Sequence, residues 1–157
     1  MHITKILSFI VTMTLLLFSC IKDDESETIN YINVNSQIPT FAGKQSLLVF
    51  FGTYCPDCKQ VLPVIEEVWK ELKDDPRFLL VTISRKETAE VVSNYWKENQ
   101  FTMPFYLDTR GEVFSLFANN TIPRIYIINP DNEVVWMAVE SLDISAKELI
   151  QKIKGLK

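Results

Sequence analysis

The sequence predicts a mixed α/β sandwich. Short apolar runs alternate with segments of helical periodicity through the middle of the chain, and two more strands joined by a turn precede a last helix. Alternating strands and helices form a parallel sheet covered on both faces, whereas a late hairpin adds antiparallel strands. The predicted order is β-α-β-α-β-α-β-β-α. With 157 residues and 47% hydrophobic composition, the chain is long enough for one domain with a substantial core.

The first two elements are a buried strand and a long helix. Residues 46–51 are apolar without alternation, as expected of a strand that is covered on both faces. A helix is predicted from about Cys55 to Leu72, with Pro56 in its first turn, where a missing N–H costs nothing.

A second strand and helix follow. Residues 78–83 form another apolar run, and Ser84 and Glu87 have the spacing of a capping box, which predicts a helix that opens there and ends near Asn99. Its apolar face is predicted to contain Val91, Val92, Tyr95 and Trp96.

The last third of the chain contains shorter elements. They are a strand at 105–107, a short helix at 113–117, strands at 124–128 and 134–139, and a helix capped by Ser145. The turn Asn129-Pro130-Asp131-Asn132 joins the last two strands into a hairpin.

The N-terminal residues are predicted to lie outside this fold. Lys5 precedes an apolar stretch of roughly 13 residues, which is short for a transmembrane helix and typical of a secretory signal. The ending Leu17-Phe18-Ser19-Cys20 resembles a bacterial lipobox, in which the cysteine is lipidated. We therefore predict a lipoprotein signal peptide at 1–19, a lipidated Cys20 with an acidic tether at 20–36, and the folded domain at 37–157.

Two features of this segment have alternative interpretations. An ordinary signal peptide or an uncleaved anchor would have a similar apolar stretch. The acidic run after Cys20 is similar to the tract that surface-exported lipoproteins of Bacteroidetes carry, and a plain solvated linker has the same composition.

Composition excludes several classes of function. The net charge of −4 and the absence of any Lys/Arg run argue against a nucleic-acid partner. The single histidine, His2, lies in the predicted signal peptide, so the mature chain lacks Cys-His and Ser-His-Asp catalysis and the imidazole ligands of most metal sites. Four unclustered glycines provide no phosphate-binding loop. We predict no metal and no cofactor.

The motif Cys55-Pro56-Asp57-Cys58 is the strongest functional signal. It lies between the first strand and the first helix, so that the thiol of Cys55 meets the helix N-terminus, where its thiolate form is favoured. A thiolate is the nucleophile of thiol–disulfide exchange. The alternative is a structural disulfide, but so short a loop restricts the unfolded chain little.

A second signal is the proline of Thr121-Ile122-Pro123-Arg124, which directly precedes an apolar strand. A cis Ile122–Pro123 bond would explain a proline at this position. The functional interpretation is a loop that faces the cysteines, with the Ile122 backbone free to pair with an extended substrate chain. The alternative is a simple strand-start proline.

Together these residues resemble the thioredoxin superfamily, and within it the TlpA/ResA-like exported thiol–disulfide oxidoreductases. The resemblance runs through Gly43-Lys44, residues 47–51, Tyr54-Cys55-Pro56-Asp57-Cys58, Pro63, residues 103–108, Gly111, Ile122-Pro123 and residues 127–129. It implies a thioredoxin-like three-layer sandwich with a mixed central sheet and an extra α–β insertion.

The resemblance also implies roles for particular residues. Cys55 is the attacking thiol, Cys58 the resolving thiol and Pro123 the cis-proline, with substrate contacts at Tyr54, Pro56, Ile122 and Pro123. It implies protein thiols and disulfides as substrates, no cofactor beyond the cysteine pair, and a membrane thiol relay as electron donor. With the predicted anchor, the location would be the cell envelope, facing the periplasm or the cell surface.

The sequence departs from the family pattern in two ways. Tyr54 stands where relatives usually have tryptophan, and Val49 and Val61 occupy the positions at which many relatives have a buried carboxylate. Two other functions remain open from the sequence. One is a non-catalytic binding module with the same fold, and the other is a thiol peroxidase, for which Thr53 lies near Cys55.

Overall fold

A computed structural model describes residues 40–156. The predicted signal peptide, Cys20 and the tether lie outside the described residues. The described chain forms five strands and four helices in the predicted order. They are β1 (Gln45–Phe51), α1 (Pro56–Leu72), β2 (Phe78–Arg85), α2 (Ala89–Asn99), β3 (Tyr106–Asp108), α3 (Glu112–Phe117), β4 (Arg124–Ile128), β5 (Val134–Val139) and α4 (Ala146–Lys154).

The strands form one mixed sheet in the order β3-β2-β1-β4-β5. β2 runs parallel to β1 and to β3, whereas β4 is antiparallel to β1 and β5 is antiparallel to β4. β1 is the central strand, and all of its residues are buried, which confirms the interpretation of its unbroken apolar run. The cysteine motif therefore follows the C-terminal end of the central strand.

Helices cover both faces of the sheet, so the predicted three-layer sandwich is confirmed. Side chains of α1, α2 and α4 form one apolar cluster with one face, and α3 forms a second cluster with the other face. The cluster on the first face includes Cys58, Val61 and Trp96. The segment α2–β3, between β2 and α3, places a third parallel strand beside β2 and corresponds to the predicted α–β insertion.

The predicted start of the second helix is wrong. Ser84 remains in β2, opposite Phe51 of β1, and the helix is capped by Thr88, whose Oγ1 accepts a hydrogen bond from Val91 N at 3.4 Å. Thr88 can cap because it lies just before the helix in an extended conformation. Val91 is 46% exposed, so it is not part of the apolar face.

The last helix begins as predicted, because Ser145 Oγ accepts a hydrogen bond from Glu148 N at 3.2 Å. None of the helices within residues 40–156 has the length and apolar character needed to cross a bilayer.

Candidate active site

The chain leaves β1 through a tight turn that carries the first cysteine. The N–H of Cys55 donates to the carbonyl of Gly52 at 3.1 Å and closes this turn. A Cβ on Gly52 would lie 2.6 Å from Cε1 of the Tyr54 ring and 3.1 Å from Cδ1 of Ile122. The absence of a side chain at Gly52 therefore lets the ring of Tyr54 fold back over the turn beside Ile122.

Cys55 is the N-cap residue of α1, and Cys58 lies one turn inside the helix. The Sγ of Cys55 accepts a hydrogen bond from the backbone N–H of Cys58 at 3.2 Å. Cys55 is 8% exposed and Cys58 is fully buried, and both are free thiols in this structure. The N–H groups and the dipole of a helix N-terminus stabilise a thiolate at the position of Cys55. Cys55 is therefore the outer thiol of the pair and Cys58 the inner one.

The loop before β4 faces the cysteines, as predicted. The Ile122–Pro123 peptide bond is cis, and the thiol of Cys55 donates to the carbonyl of Ile122 across a distance of 3.6 Å. Among the loop hydrogen bonds of residues 40–156, none uses the N–H of Ile122. The fold therefore brings Tyr54, Cys55, Ile122 and Pro123, which are far apart in sequence, to one location at the edge of the sheet.

The environment of Cys58 keeps this thiol protonated. Burial raises its pKa most strongly, the hydrogen bond with Cys55 and the negative charges of Cys55 and Asp57 raise it further, and the backbone N–H of Gly52 opposes these effects. Burial raises the pKa of Tyr95 as well, and the negative charge of a Cys58 thiolate adds to this shift. The inner thiol therefore holds its proton in the reduced state.

The two valines at the positions where relatives have a carboxylate are buried in apolar surroundings, Val49 at 0% and Val61 at 3% exposure. The buried carboxylates of residues 40–156 are Glu66, Glu87 and Asp108, and none of them lies at these two positions. Glu66 of α1 accepts hydrogen bonds from Thr102 N, Thr102 Oγ1 and Met103 N at 2.7–3.1 Å. The only sequence signal for Glu66 was its place beside Ile65 on the buried side of the helix.

Glu87 is the second missed carboxylate. It lies between β2 and α2 and accepts hydrogen bonds from the backbone N–H and the hydroxyl of Thr53, in the turn that precedes Cys55. Its sequence signal was the spacing from Ser84, which we had interpreted as a capping box. Within residues 40–156, no three His, Cys, Asp or Glu side chains come together as metal ligands.

A family model described as thioredoxin-like matches residues 43–134. The chain belongs to the thioredoxin-like family. The matched region includes the Cys55–Cys58 motif and the Ile122–Pro123 loop. The residues that the fold brings together at the site therefore all lie within the matched region.

Curated relatives of this family member have names that describe redox activity. The chain is 31% identical over 112 residues to thiol-disulfide oxidoreductase ResA of Oceanobacillus iheyensis, covering 71% of this chain and 58% of that protein. It is 28% identical over 94 residues to sporulation thiol-disulfide oxidoreductase A of Bacillus subtilis, covering 59% of this chain and 57% of that protein. The match thus spans less than two thirds of the length of these relatives.

Solved structures share the thioredoxin-like fold. A putative protein disulfide isomerase from Bacteroides thetaiotaomicron is 28% identical with a TM-score of 0.68, and the match covers 74% of this chain and 75% of that one. StoA from Bacillus subtilis is 26% identical with a TM-score of 0.62, and the match covers 70% of this chain and 82% of that one.

Proposed function

We propose that this protein is a thiol–disulfide oxidoreductase that exchanges the Cys55–Cys58 pair with protein thiols and disulfides outside the cytoplasm. The observation that carries the proposal is the position of Cys55. Its Sγ caps the N-terminus of α1 at 3.2 Å from Cys58 N and faces the carbonyl of Ile122. The names of the relatives, which describe thiol–disulfide oxidoreductases, support the same activity.

In the reducing direction, the thiolate of Cys55 attacks one sulfur of a substrate disulfide. The substrate S–S bond breaks, its second sulfur leaves as a thiolate, and a mixed disulfide forms at Cys55. Cys58 then loses its proton to solvent and attacks the Sγ of Cys55, which releases the first substrate sulfur, the one held in the mixed disulfide, as a thiolate. The substrate has gained two electrons and the pair is oxidised. An electron donor must restore the dithiol, and the family resemblance suggests a membrane thiol relay. Run backward, the same steps oxidise a substrate dithiol.

The surroundings of Cys58 set the order of the two reaction steps. Two of the causes that raise the pKa of Cys58 are the hydrogen bond with Cys55 and the negative charge of Cys55. Both disappear when Cys55 becomes part of a neutral mixed disulfide, so the pKa of Cys58 falls at that step. The inner thiol is therefore held in reserve until a substrate is attached.

The substrate approaches Cys55 beside Tyr54 and the Ile122–Pro123 loop. The N–H of Ile122, which has no backbone partner among residues 40–156, can pair with the backbone of an extended chain, while the exposed Tyr54 ring and the exposed Pro56 offer apolar contact next to Cys55. Main-chain pairing of this kind binds many sequences, because it does not depend on side chains.

Trapping of mixed disulfides tests the proposal. Cys58→Ser leaves Cys55 able to attack and removes the thiol that resolves the intermediate, so mixed disulfides with substrate proteins should accumulate through Cys55. Cys55→Ser, the matched control, should trap none. Equal trapping by the two variants would show that the roles are wrongly assigned, and no trapping by either would argue against exchange.

We also propose that Cys20 is lipidated and anchors the domain at the membrane surface of the cell envelope. The support is the lipobox-like Leu17-Phe18-Ser19-Cys20 and the acidic tether after it. Cys20→Ala should move the protein from the membrane fraction to the soluble fraction, whereas Cys55→Ser should leave its partitioning unchanged. A Cys20→Ala protein that stays in the membrane fraction would contradict the lipid anchor.

The alternative of a thiol peroxidase finds no support in the site. The hydroxyl of Thr53, the candidate threonine partner, donates to Glu87 and is not directed to Cys55. The alternative of a non-catalytic binding module rests on the apolar Val49 and Val61. Trapping by Cys58→Ser separates exchange from this alternative, because a binding module forms no covalent intermediate.

A further inference from the structure

Glu87 is hydrogen-bonded to Ser84 and to the turn that precedes Cys55, and it does not cap a helix. Because Thr88 caps α2, the carboxylate of Glu87 is free to turn toward the end of β1. Glu87 is 9% exposed, and its Oε2 accepts hydrogen bonds from Thr53 N at 2.9 Å and Ser84 Oγ at 2.6 Å. Its Oε1 accepts a further hydrogen bond from the hydroxyl of Thr53.

Three donors converge on this one buried carboxylate. A buried carboxylate is costly unless hydrogen bonds replace its water, and bonds from N–H and O–H donors to an ionised oxygen are stronger than neutral ones. Two of the three donors belong to Thr53, which is 34 residues away in sequence. The third, Ser84, belongs to the β2 ladder. The carboxylate therefore ties the cysteine turn to a fixed point of the sheet.

The turn has few other attachments. Within it, Cys55 N donates to Gly52 O at 3.1 Å. The backbone N–H of Gly52 also interacts with the thiol of Cys58, and the hydrogen bonds of Glu87 attach the turn to a residue outside the Cys55–Cys58 motif. Thr53 is two positions before Cys55, so its placement sets where α1 begins and where the Cys55 thiol points.

We propose that Glu87 is a positioning residue for disulfide exchange, acting through Thr53 to keep the Cys55 sulfur at the helix N-terminus and opposite Ile122. The inference rests on the proposed function, since it assigns a role within that reaction. Glu87 touches neither the thiol nor the substrate in this account. Loss of the tie lets the turn relax, and a misplacement of about 1 Å at a reacting group can lower a rate about 100-fold.

Charge and position act in opposite directions here, which makes them separable. Glu87 is negative, so removing its charge alone favours the thiolate of Cys55 and speeds its reaction. Removing the tie slows the reaction. Thr53→Val keeps the carboxylate and removes one donor, so its effect reports position without a change of charge.

The experiment uses the purified, reduced full chain and the variants Glu87→Ala, Thr53→Val and their combination. Iodoacetamide alkylation of Cys55 is followed peptide by peptide with mass spectrometry, so that Cys20 and Cys58 do not interfere. Insulin reduction gives kcat and KM, and urea unfolding gives stability. Glu66→Gln is the matched control, because Glu66 is also buried and hydrogen-bonded but its donors are Thr102 and Met103.

We expect Glu87→Ala and Thr53→Val each to slow Cys55 alkylation and to lower kcat by about 10-fold, with KM changed less than about 2-fold. The double variant should be no slower than Glu87→Ala, because both changes break the same tie. Thr53→Ser, which retains the hydroxyl, should restore the rate. Glu66→Gln should lose stability and keep its alkylation rate.

A purely structural Glu87 would change the urea midpoint and leave alkylation and kcat unchanged, which would overturn the inference. Faster alkylation in Glu87→Ala with no change in Thr53→Val would also overturn it in favour of a charge effect. If Glu87→Ala does not fold, the comparison of Thr53→Val with Thr53→Ser decides the same question. If the wild-type chain reduces no insulin, the proposed function fails, whereas equal activity of wild type and variants denies only the role of Glu87.

Discussion

The reduced protein should lose stability at alkaline pH because of one buried thiol. Cys58 is fully buried, and its pKa is raised first by burial and then by the hydrogen bond with Cys55. In the unfolded chain the same thiol ionises near pH 8.5. Above that pH the unfolded chain has lost a proton that the folded chain still holds, so unfolding becomes easier as the pH rises. The stabilising contribution is complete below the unfolded pKa and is lost on the way to the raised folded pKa.

The size of the effect follows from this difference in bound protons. The free energy of unfolding should fall by about 1.4 kcal/mol per pH unit above the unfolded pKa, or about 2 kcal/mol between about pH 8 and about pH 10. Tyr95 and Tyr106 also have raised pKa values because of burial, and their contributions have the same sign at higher pH. A comparison with a variant that differs only at Cys58 removes these contributions.

Urea unfolding of the reduced chain at three pH values measures the effect. Cys58→Ser keeps the other titrating groups and has no thiol at this position. Between about pH 8 and about pH 10, its free energy of unfolding should therefore fall by about 2 kcal/mol less than that of the wild type, which is the contribution of Cys58. The oxidised wild-type protein, which has no titrating Cys58, should resemble the variant. Parallel pH profiles for reduced wild type and Cys58→Ser would refute the assignment of a protonated inner thiol.

Three further predictions concern the packing around the site. Gly52→Ala should cost about 1 kcal/mol because the Tyr54 ring must move and Ile122 Cδ1 would lie 3.1 Å from the new Cβ. In a Tyr54→Ala background the cost should fall below about 0.5 kcal/mol, since only the end of the Ile122 side chain still has to shift, and equal effects in urea unfolding would contradict the position of the ring. Glu66→Ala should destabilise by about 3 kcal/mol because the N–H and hydroxyl of Thr102 lose their acceptor, and a measured loss below about 1 kcal/mol would contradict this role. Lys70 is exposed and forms an ion pair with Glu66. Lys70→Met should change stability by less than about 0.5 kcal/mol in the same assay, because exposed ion pairs contribute little. A larger loss would contradict this expectation.

Much of the fold could be predicted because local pattern and tertiary structure agree. The apolar run of β1 does not alternate because the strand is central and covered on both faces. The position of Cys55 as N-cap followed from a strand and a helical pattern that leave only a short turn between them. Pro123 was informative because a proline directly before an apolar strand requires an explanation.

The contacts of Glu66, and the contact of Glu87 with Thr53, could not be predicted because these partners are distant in sequence. Glu66 binds donors 36 and 37 positions away, and Glu87 binds a donor 34 positions away. The Ser84–Glu87 spacing fits a capping box, but Thr88 is an equally good cap, and the sequence does not say which is used. Val91 was misplaced because the buried side of α2 is set by Val92 and Trp96, which are one turn apart, and Val91 lies about 100° from Val92 around the helix.

The central claim is that Cys55 and Cys58 form one redox pair, and equilibration with glutathione tests it most directly. The purified full chain is incubated at defined ratios of reduced to oxidised glutathione, quenched, and read by mass spectrometry at each cysteine, and the same samples are assayed for insulin reduction. We predict that Cys55 and Cys58 pass together between dithiol and disulfide with a single midpoint, and that the protein reduces insulin catalytically. Cysteines that stay in one state at every ratio, or that change independently of each other, would contradict the account.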